Sequence, residues 1–514
     1  MKLHKPHHTR RSGVLLHPTS LPGPWIAGDM SHEAYRFIEF LAAAGQTVWQ
    51  ILPLGPTHAD GSPYQCLSTH AGNPLLISLD WLIDRGWLPR DLWDRCEPTV
   101  AWRQRVLQQG CEQALAACDE ATLADFERFC RGQAFWLDDY ANYAVLKEMH
   151  QGASWTDWPL PLRLCDKTAV QKALASQVAT LQLRKFEQYL FLTQWRNLRN
   201  YAHQHGIYLF GDLPIFVSGD SADVWAHRKF FSVDEQGQSQ VVAGVPPDAF
   251  SDLGQRWGNP LYDWSALEKD RFGWWKDRLR THFSIYDMVR IDHFRGLESY
   301  WEIPAESESA VNGRWVKAPG EALLAEIQAT FSEMSLIAED LGIITDAVHQ
   351  LRQDFDLPGM KVLQFAFDGD RDNHHLPHNH TPDMVVYTGT HDNDTTQSWY
   401  KSASDRERHL VRAYLECADE DVPWCLIRSA MMSAANTAIV PLQDVLALGH
   451  GHRMNTPGTI VDNWCWRFSW EQFPDGLAER LRELSSRYGR VSGDTAVQSF
   501  QQDNGWPLIE RRRA

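Results

Sequence analysis

Four carboxylates stand at or just beyond the ends of short apolar segments of the chain; they are Asp212, Asp292, Glu339 and Asp392. A charge beside a buried segment costs free energy unless it is paired or takes part in chemistry. For a single such residue, a structural role, as a helix cap or as the partner of a nearby arginine, explains the carboxylate as well as a functional role does. Four of them favour a shared functional site.

Two of these carboxylates have surroundings that suit opposite roles. Arg290 and Asp292 are two residues apart, so on a strand their side chains share one face. We expect the guanidinium to hold Asp292 ionised at neutral pH, as a nucleophile requires. Glu339 follows the apolar residues 336–338, and partial burial would raise its pKa, as a general acid requires. Such a pair, with its carboxyls about 5–5.5 Å apart, is typical of retaining glycosidic chemistry.

The elements that must position these residues are eight short apolar segments separated by longer stretches. Residues 32–44 and 181–205 have the three- and four-residue apolar spacing of helices. Nearly all-apolar segments of strand length are typical of parallel sheets covered on both faces. The alternation predicts an α/β fold, a (β/α)8 TIM barrel whose strand ends converge on one face, with a doubly wound open sheet as the alternative. The eight segments are 13–17, 48–54, 207–212, 288–292, 335–340, 361–365, 385–392 and 438–443.

Uneven spacing of the segments predicts insertions into a single catalytic barrel that spans residues 1–514. A long interval separates the second and third segments, and much of it has helical spacing, so we expect a mostly helical subdomain over residues 60–180. A second insertion, loop-rich with Gly and Pro, is expected over residues 213–265 after the third strand, because a loop this long is rarely an idle connection.

Composition excludes several classes of function. The 514 residues are 43% hydrophobic and 22% charged, as in ordinary globular proteins. A net charge of −17 argues against a nucleic acid partner, because phosphate binding needs concentrated Lys and Arg. The sequence has no apolar stretch long enough to cross a membrane. Nine cysteines without a C-x-x-C pair, and an N-terminal segment without an apolar core, favour a reducing, cytoplasmic location.

Nine short motifs between about Ser12 and Trp466 stand in the order of one known family. With them the chain resembles the amylomaltases, which are 4-α-glucanotransferases of the α-amylase clan. The resemblance implies retaining transfer of α-1,4-glucan segments between maltooligosaccharides or starch-like glucans, with cyclisation as a possible outcome. It implies no cofactor and no metal. The motifs are Gly13–Pro22, Gln50–Pro56, Ser62–Gln65, Gly211–Val217, Gly254–Pro260, Arg290–Gly296, Ala338–Gly342, His391–Asp394 and Arg453–Gly458.

The resemblance also implies roles for individual residues. Asp292 matches the nucleophile that forms a covalent glucosyl intermediate, and Glu339 matches the acid that later acts as base. Asp392, with His391 beside it, matches the third carboxylate, which holds hydroxyls of the distorted sugar. Tyr64 is implied to stack on the sugar at the cleaved bond. The remaining implied substrate contacts are Asp212, Phe250, Trp257, Arg290, Asp340, Phe365 and Asn463.

Two departures from the family pattern lie near these positions. Residues 244–255 match a mobile substrate loop, but Ala249 stands where many relatives have Tyr. We expect a weaker grip on the acceptor sugar, so Ala249→Tyr should lower the share of hydrolysis in the products. Cys66 stands two residues after Tyr64, where the family commonly has Ser. A thiol reagent that reaches Cys66 would then inhibit.

No sequence signal points to a metal or a cofactor. Residues 368–372 alternate acidic side chains like a calcium loop, but Asn373 and Asn379 stand where that loop needs Gly and Glu. Motifs for dinucleotides, phosphates and zinc are missing from the sequence. We assign four neighbouring histidines to the surface or to substrate contact; they are His374, His375, His378 and His380.

Two rival functions stay open at this point. An α-glucan hydrolase would use the same three carboxylates, and only its products would differ. A catalytically silent glucan-binding scaffold would use the 23 tryptophans of the chain and keep the carboxylates as relics. The sequence makes no prediction of the oligomeric state.

Overall fold

Eight parallel strands surround one axis in the computed structural model, which describes residues 9–247, 251–331 and 335–491, with the backbone alone at 94 and 95. The described residues form twelve strands, numbered in order. They are β1 (Arg11–Leu15), β2 (Val48–Gln50), β3 (Tyr208–Pro214), β4 (Val241–Val245), β5 (Gln255–Pro260), β6 (Met288–Asp292), β7 (Ser299–Pro304), β8 (Arg314–Lys317), β9 (Leu336–Ala338), β10 (Gly359–Val362), β11 (Met384–Tyr387) and β12 (Thr437–Pro441).

The eight parallel strands form a nearly closed barrel. Their order is β10-β11-β12-β1-β2-β3-β6-β9. The two ends of this row meet where the Ala338 N–H donates to the Pro358 carbonyl at 2.8 Å, just before β10 begins. The predicted (β/α)8 barrel is therefore confirmed, and the open doubly wound sheet is excluded.

The strands form because both of their faces are covered by apolar side chains. One set of residues, including Val48, Phe210 and Ile337, fills the inside of the barrel. The alternate set, including Trp49, Leu209 and Val289, packs outward against the helices. This burial on two faces explains why the segments read as continuous apolar runs.

Helices cover the outside of the barrel between most of its strands. α1 follows β1, α8 precedes β3, and the connection from β10 to β11 uses two 3₁₀ turns, Leu363–Phe365 and Pro377–Asn379. No helix in the described part of the chain has the length and apolar character needed to cross a bilayer. The helices are α1 (His32–Ala43), α2 (Leu79–Asp84), α3 (Val100–Ala117), α4 (Glu120–Gly132), α5 (Ala134–Met149), α6 (Leu160–Arg163), α7 (Lys167–Leu174), α8 (Val178–Gln204), α9 (Ala222–Ala226), α10 (Trp264–Lys269), α11 (Gly273–Ile285), α12 (Gly320–Thr330), α13 (Asp346–Asp354), α14 (Thr396–Ser402), α15 (Asp405–Leu415), α16 (Val422–Met432), α17 (Leu442–Val445) and α18 (Leu477–Arg487).

Two insertions leave the barrel on the side where its strands end. Between β2 and α8 the chain forms the helices α2 to α7. The connection after β3 also carries β4 and β5, which join β7 and β8 in an antiparallel sheet of order β5-β4-β7-β8. This second sheet was not predicted, because its strands are short, partly exposed and interrupted by Gly and Pro.

A buried arginine joins the end of the described chain to the barrel. Arg490 follows α18 and is fully buried, and burial lowers its pKa to about 9. Its guanidinium donates to six backbone carbonyls, and no carboxylate is among these partners. The acceptors are Arg11, Ala430, Met431, Ser433, Ala435 and Asn436.

Replacing Arg490 with Ala is expected to lower the free energy of unfolding by at least about 3 kcal/mol, because several buried carbonyls lose their donors. The measurement is the urea midpoint of unfolding. Arg487→Ala is the matched control, since Arg487 is 58% exposed and pairs with Glu483 on the surface. It should change stability by less than about 0.5 kcal/mol. Equal effects of the two variants would contradict this account of Arg490.

Candidate active site

One arginine joins two carboxylates at the ends of neighbouring barrel strands. Asp212 on β3 and Arg290 on β6 are direct partners in the ladder, so both side chains face the inside of the barrel. Arg290 donates to Asp212 at 2.5 Å and to Asp292 at 2.7 Å. Asp292, the last residue of β6, thus stands at the mouth of the barrel beside a fixed positive charge.

Glu339 directly follows β9, the strand next to β6. Ile291 pairs with Ala338 across β6 and β9, and the Glu339 N–H donates to the Ile291 carbonyl at 3.1 Å. The Glu339 carboxylate accepts hydrogen bonds from the backbone N–H of His293 at 2.7 Å and of Leu341 at 3.1 Å. These contacts fix both carboxyl oxygens, and the sequence-predicted pair stands on one rim.

The two carboxyls have raised pKa values. Burial raises the pKa of Glu339 to about 7, as expected, and that of Asp292 to about 8, while the Arg290 guanidinium opposes both shifts. The charges of Asp212 and Glu339 add to the rise in the pKa of Asp292. Arg290 therefore favours the ionised form of Asp292, as expected, but burial opposes it. The two carboxyls together hold a proton in the neutral pH range.

Asp392 reaches the same mouth from the loop after β11. One carboxylate oxygen accepts from the side-chain amide of Asn455 at 2.6 Å, and the other lies 3.3 Å from Nε2 of His391. Burial lowers the pKa of His391, so its imidazole is neutral near pH 7. The Asp392 side chain is 46% exposed, which leaves it accessible to a ligand.

Aromatic rings form a wall beside these carboxylates. The Tyr64 hydroxyl donates to Asp212 at 2.7 Å, and its ring stacks on His391 with centroids 5.1 Å apart. Trp464 completes the wall, with its ring centroid 5.8 Å from Tyr64 and 6.0 Å from His391. Sequence reasoning did not assign Trp464 to the site; its place in a polar segment was the signal. A sugar ring has the apolar face that such a wall can cover.

Two further predicted contacts, Trp257 and Phe365, each pack against a histidine ring. Trp257 lies on β5. Its ring packs edge-to-face with the His293 ring, and the two ring centroids are 4.8 Å apart. Phe365 ends the 3₁₀ turn after β10 and contacts His375 edge-on at 5.6 Å. Phe250 and Ala249 lie outside the described residues.

Two predicted contacts, Asp340 and Asn463, have their side-chain polar atoms engaged by other residues of the chain. The Asp340 side chain is fully buried, accepts from the Met360 N–H at 2.6 Å and lies 3.4 Å from Arg352 of α13. Successive side chains of a strand alternate, so Glu339 faces inward and Asp340 faces the helices. Asn463 hydrogen-bonds to Thr456 and Thr459 within its own loop. Both residues therefore stabilise the chain segments beside the site through these hydrogen bonds.

Cys66 is not placed to react. Its thiol donates to the Pro63 carbonyl at 2.9 Å, and burial raises the pKa of the thiol to about 12. These contacts disfavour the expected inhibition through Cys66, because the thiolate is the reactive form.

Iodoacetamide at pH 8 should label the exposed Cys465 and leave Cys66 unlabelled. The reason is that roughly one Cys66 thiol in 10⁴ is ionised four pH units below its pKa. Peptide mass spectrometry follows the two labels. The Cys465→Ser variant should keep its activity after treatment. Activity lost in step with a label on Cys66 would contradict this prediction.

The arrangement suits acid–nucleophile chemistry on a sugar. It offers a carboxyl pair that holds a proton, a third carboxylate and an aromatic wall. Among the described residues, no group of three or more His, Cys, Asp or Glu side chains is arranged to hold a metal ion.

Comparisons with known proteins agree with this geometry. The family model described as 4-alpha-glucanotransferase matches residues 16–472. The chain belongs to the 4-alpha-glucanotransferase family. It is 46% identical over 496 residues to a 4-alpha-glucanotransferase of Thermus thermophilus, covering 94% of this chain and 99% of the relative. A chloroplastic/amyloplastic 4-alpha-glucanotransferase of Arabidopsis thaliana is 43% identical over 502 residues, covering 95% and 87%.

A solved structure of an amylomaltase shares the whole fold. The Streptococcus agalactiae enzyme in complex with acarbose superposes with a TM-score of 0.91 at 33% identity, covering 94% of this chain and 100% of that one. The amylomaltase of Corynebacterium glutamicum, at 19% identity and a TM-score of 0.74, shares the fold. The predicted family resemblance is thereby confirmed, and this chain is an enzyme of the 4-alpha-glucanotransferase class.

Proposed function

We propose that this 4-alpha-glucanotransferase moves α-1,4-glucan segments between maltooligosaccharides or starch-like glucans through a covalent glucosyl–Asp292 intermediate. The observation that carries the proposal is the bridge from Arg290 to Asp292 on the strand beside Glu339. Neighbouring strands lie about 4.8 Å apart, which suits the close carboxyl spacing of a retaining pair. The streptococcal relative was solved in complex with acarbose, which supports a glucan ligand for this chain.

In the first step Asp292 attacks the anomeric carbon of the donor sugar. The bond from this carbon to the glycosidic oxygen breaks, and Glu339 gives its proton to that oxygen. The reaction requires the shared proton on Glu339, and Arg290, at 2.7 Å from Asp292, lowers the free energy of this form by stabilising the negative charge on Asp292.

In the second step the 4-hydroxyl of an acceptor sugar attacks the same carbon. Glu339, now ionised, takes the hydroxyl proton, and Asp292 leaves as a carboxylate. Inversion twice gives net retention of the α configuration. Asp392 accepts hydrogen bonds from hydroxyls of the distorted sugar, while the rings of Tyr64 and Trp464 shield it from water.

The choice between transfer and hydrolysis then rests on how well the acceptor sugar excludes water. Aromatic surfaces at the mouth favour the sugar by positioning it and by desolvation. Long donors would allow the chain's own end to act as the acceptor, which would give cyclic glucans. We also place the enzyme in the cytoplasm, since its nine cysteines are free thiols.

Maltotriose separates the proposed transferase from the rival hydrolase. The transferase is expected to give glucose together with a ladder of longer oligomers, because each transferred segment is joined to another sugar. The product lengths are read by chromatography over a time course. Glucose and maltose without any product longer than maltotriose would contradict the proposal.

A further inference from the structure

We propose that Asn455 is a positioning residue, whose side-chain amide sets the orientation in which Asp392 meets the sugar. The proposal rests on the role given to Asp392 under the proposed function. Asn455 donates to one carboxylate oxygen of Asp392 at 2.6 Å, while His391 lies 3.3 Å from the other. Two neighbours on opposite oxygens fix the plane of a carboxylate that is otherwise 46% exposed.

Arg453 holds the backbones of both partners. Its guanidinium donates to the carbonyl of Asp392 at 2.8 Å and to the carbonyl of Asn455 at 3.0 Å. A planar guanidinium has several donors in a fixed fork, so it sets the separation of the two chain segments. The short contact between the side chains of Asn455 and Asp392 is thus formed between two anchored backbones.

Met454 anchors the same loop in the barrel. Its side chain is 6% exposed and packs into the apolar cluster inside the barrel, together with Leu15 and Val362. Its carbonyl accepts from the Trp464 N–H at 2.8 Å, and Trp464 has a left-handed backbone with φ of 64°. Strained backbone of this kind persists where surrounding contacts fix it.

The loop from Arg453 to Trp466 therefore does two things at once. Its first residues orient Asp392, and its later part places Trp464 on the aromatic wall. The hydrogen bond from Asn455 to Asp392 does not cover any surface of the sugar. Its loss is therefore expected to reduce the stabilisation of the transition state more than the binding of the substrate in the ground state. The contact that the structure gives the Asn455 amide is with Asp392, so we infer that Asn455 acts through Asp392.

A double-mutant cycle tests this coupling. The four proteins are wild type, Asn455→Ala, Asp392→Ala and the double variant, and the readout is fluoride release from α-maltosyl fluoride with maltose as acceptor. This donor has a good leaving group, which keeps weak variants measurable. Asn455→Ala is expected to lower kcat about 10- to 100-fold with KM nearly unchanged, and to have no further effect once Asp392 is Ala.

Asn455→Asp serves as the matched variant. It has the same shape as Asn, so it fills the loop equally well, but it places a carboxylate against Asp392. We expect its kcat to fall at least as far as that of Asn455→Ala, whereas a packing role would leave it near wild type.

Three outcomes would overturn the inference. Wild-type kcat in Asn455→Ala, with Asp392→Ala impaired, removes the inference and leaves the proposed function standing. Independent, multiplying losses in the double variant do the same, because Asn455 would then act without Asp392. Full activity of Asp392→Ala would overturn the role of Asp392 in the proposed function and the inference with it.

Discussion

Replacing Asp292 with Asn is expected to reduce the disproportionation of maltotriose by about 10⁴-fold or more, since removal of a covalent nucleophile is among the largest single losses in enzymes. An amide in place of the carboxylate has nearly the same shape and cannot form the glucosyl ester. Arg290 would keep its contact with Asp212, so the barrel mouth should keep its form. Initial rates of glucose release from maltotriose measure the loss.

The stability of the Asp292→Asn variant separates chemistry from misfolding. Burial raises the pKa of Asp292 to about 8, so its charge is unfavourable in the folded state at neutral pH. Removing that charge should leave the melting temperature unchanged or higher. Asp372→Asn, at an exposed carboxylate of the 368–372 loop, is the control and should keep full activity. An active Asp292→Asn variant would overturn the mechanism.

Glu339→Gln is expected to show the second largest effect, and the effect should depend on the leaving group. With maltotriose the rate should fall about 10²- to 10⁴-fold, because the leaving sugar oxygen needs a proton. With α-maltosyl fluoride the first step should survive, because fluoride leaves without protonation. The ratio of the two first-turnover rates, compared with the same ratio for wild type, is the measurement, because the second step lacks its base in this variant. Equal losses with both donors would contradict the acid role of Glu339.

The pH profile gives a second check on Glu339. A raised pKa of about 7 means that the proton is held below this pH and lost as the pH rises through it. Wild-type activity on maltotriose should therefore fall on the alkaline side of about pH 7. In Glu339→Gln the same alkaline fall should vanish. Its persistence there would assign the titration to another group.

The barrel was predictable because its strands are buried on both faces. Each of the eight apolar segments overlaps a barrel strand, with ends that differ by up to five residues, and the predicted helix 181–205 is α8 at Val178–Gln204. The antiparallel sheet was not predictable in the same way. β5 and β8 are exposed at several positions, so their sequences lack a clear apolar pattern.

The features of the active site that the sequence did not predict have similar physical causes. Glu339 and Asp340 are adjacent in sequence, and only the alternation of side chains at the end of β9 separates an inward carboxylate from an outward one. Asn455 and Trp464 stand in a loop without regular structure, so no period predicts where they point. Burial also raises the pKa of Asp292 more than the Arg290 ion pair lowers it. A sequence does not show the relative size of these two effects.

Covalent trapping tests the central claim most directly. Glu339→Gln is incubated with α-maltosyl fluoride without an acceptor, quenched in acid, digested and read by peptide mass spectrometry. Because the base of the second step is missing, a maltosyl group should accumulate on the peptide that contains Asp292. A maltosyl group on any other residue, or no adduct together with maltose of inverted configuration, would contradict the account.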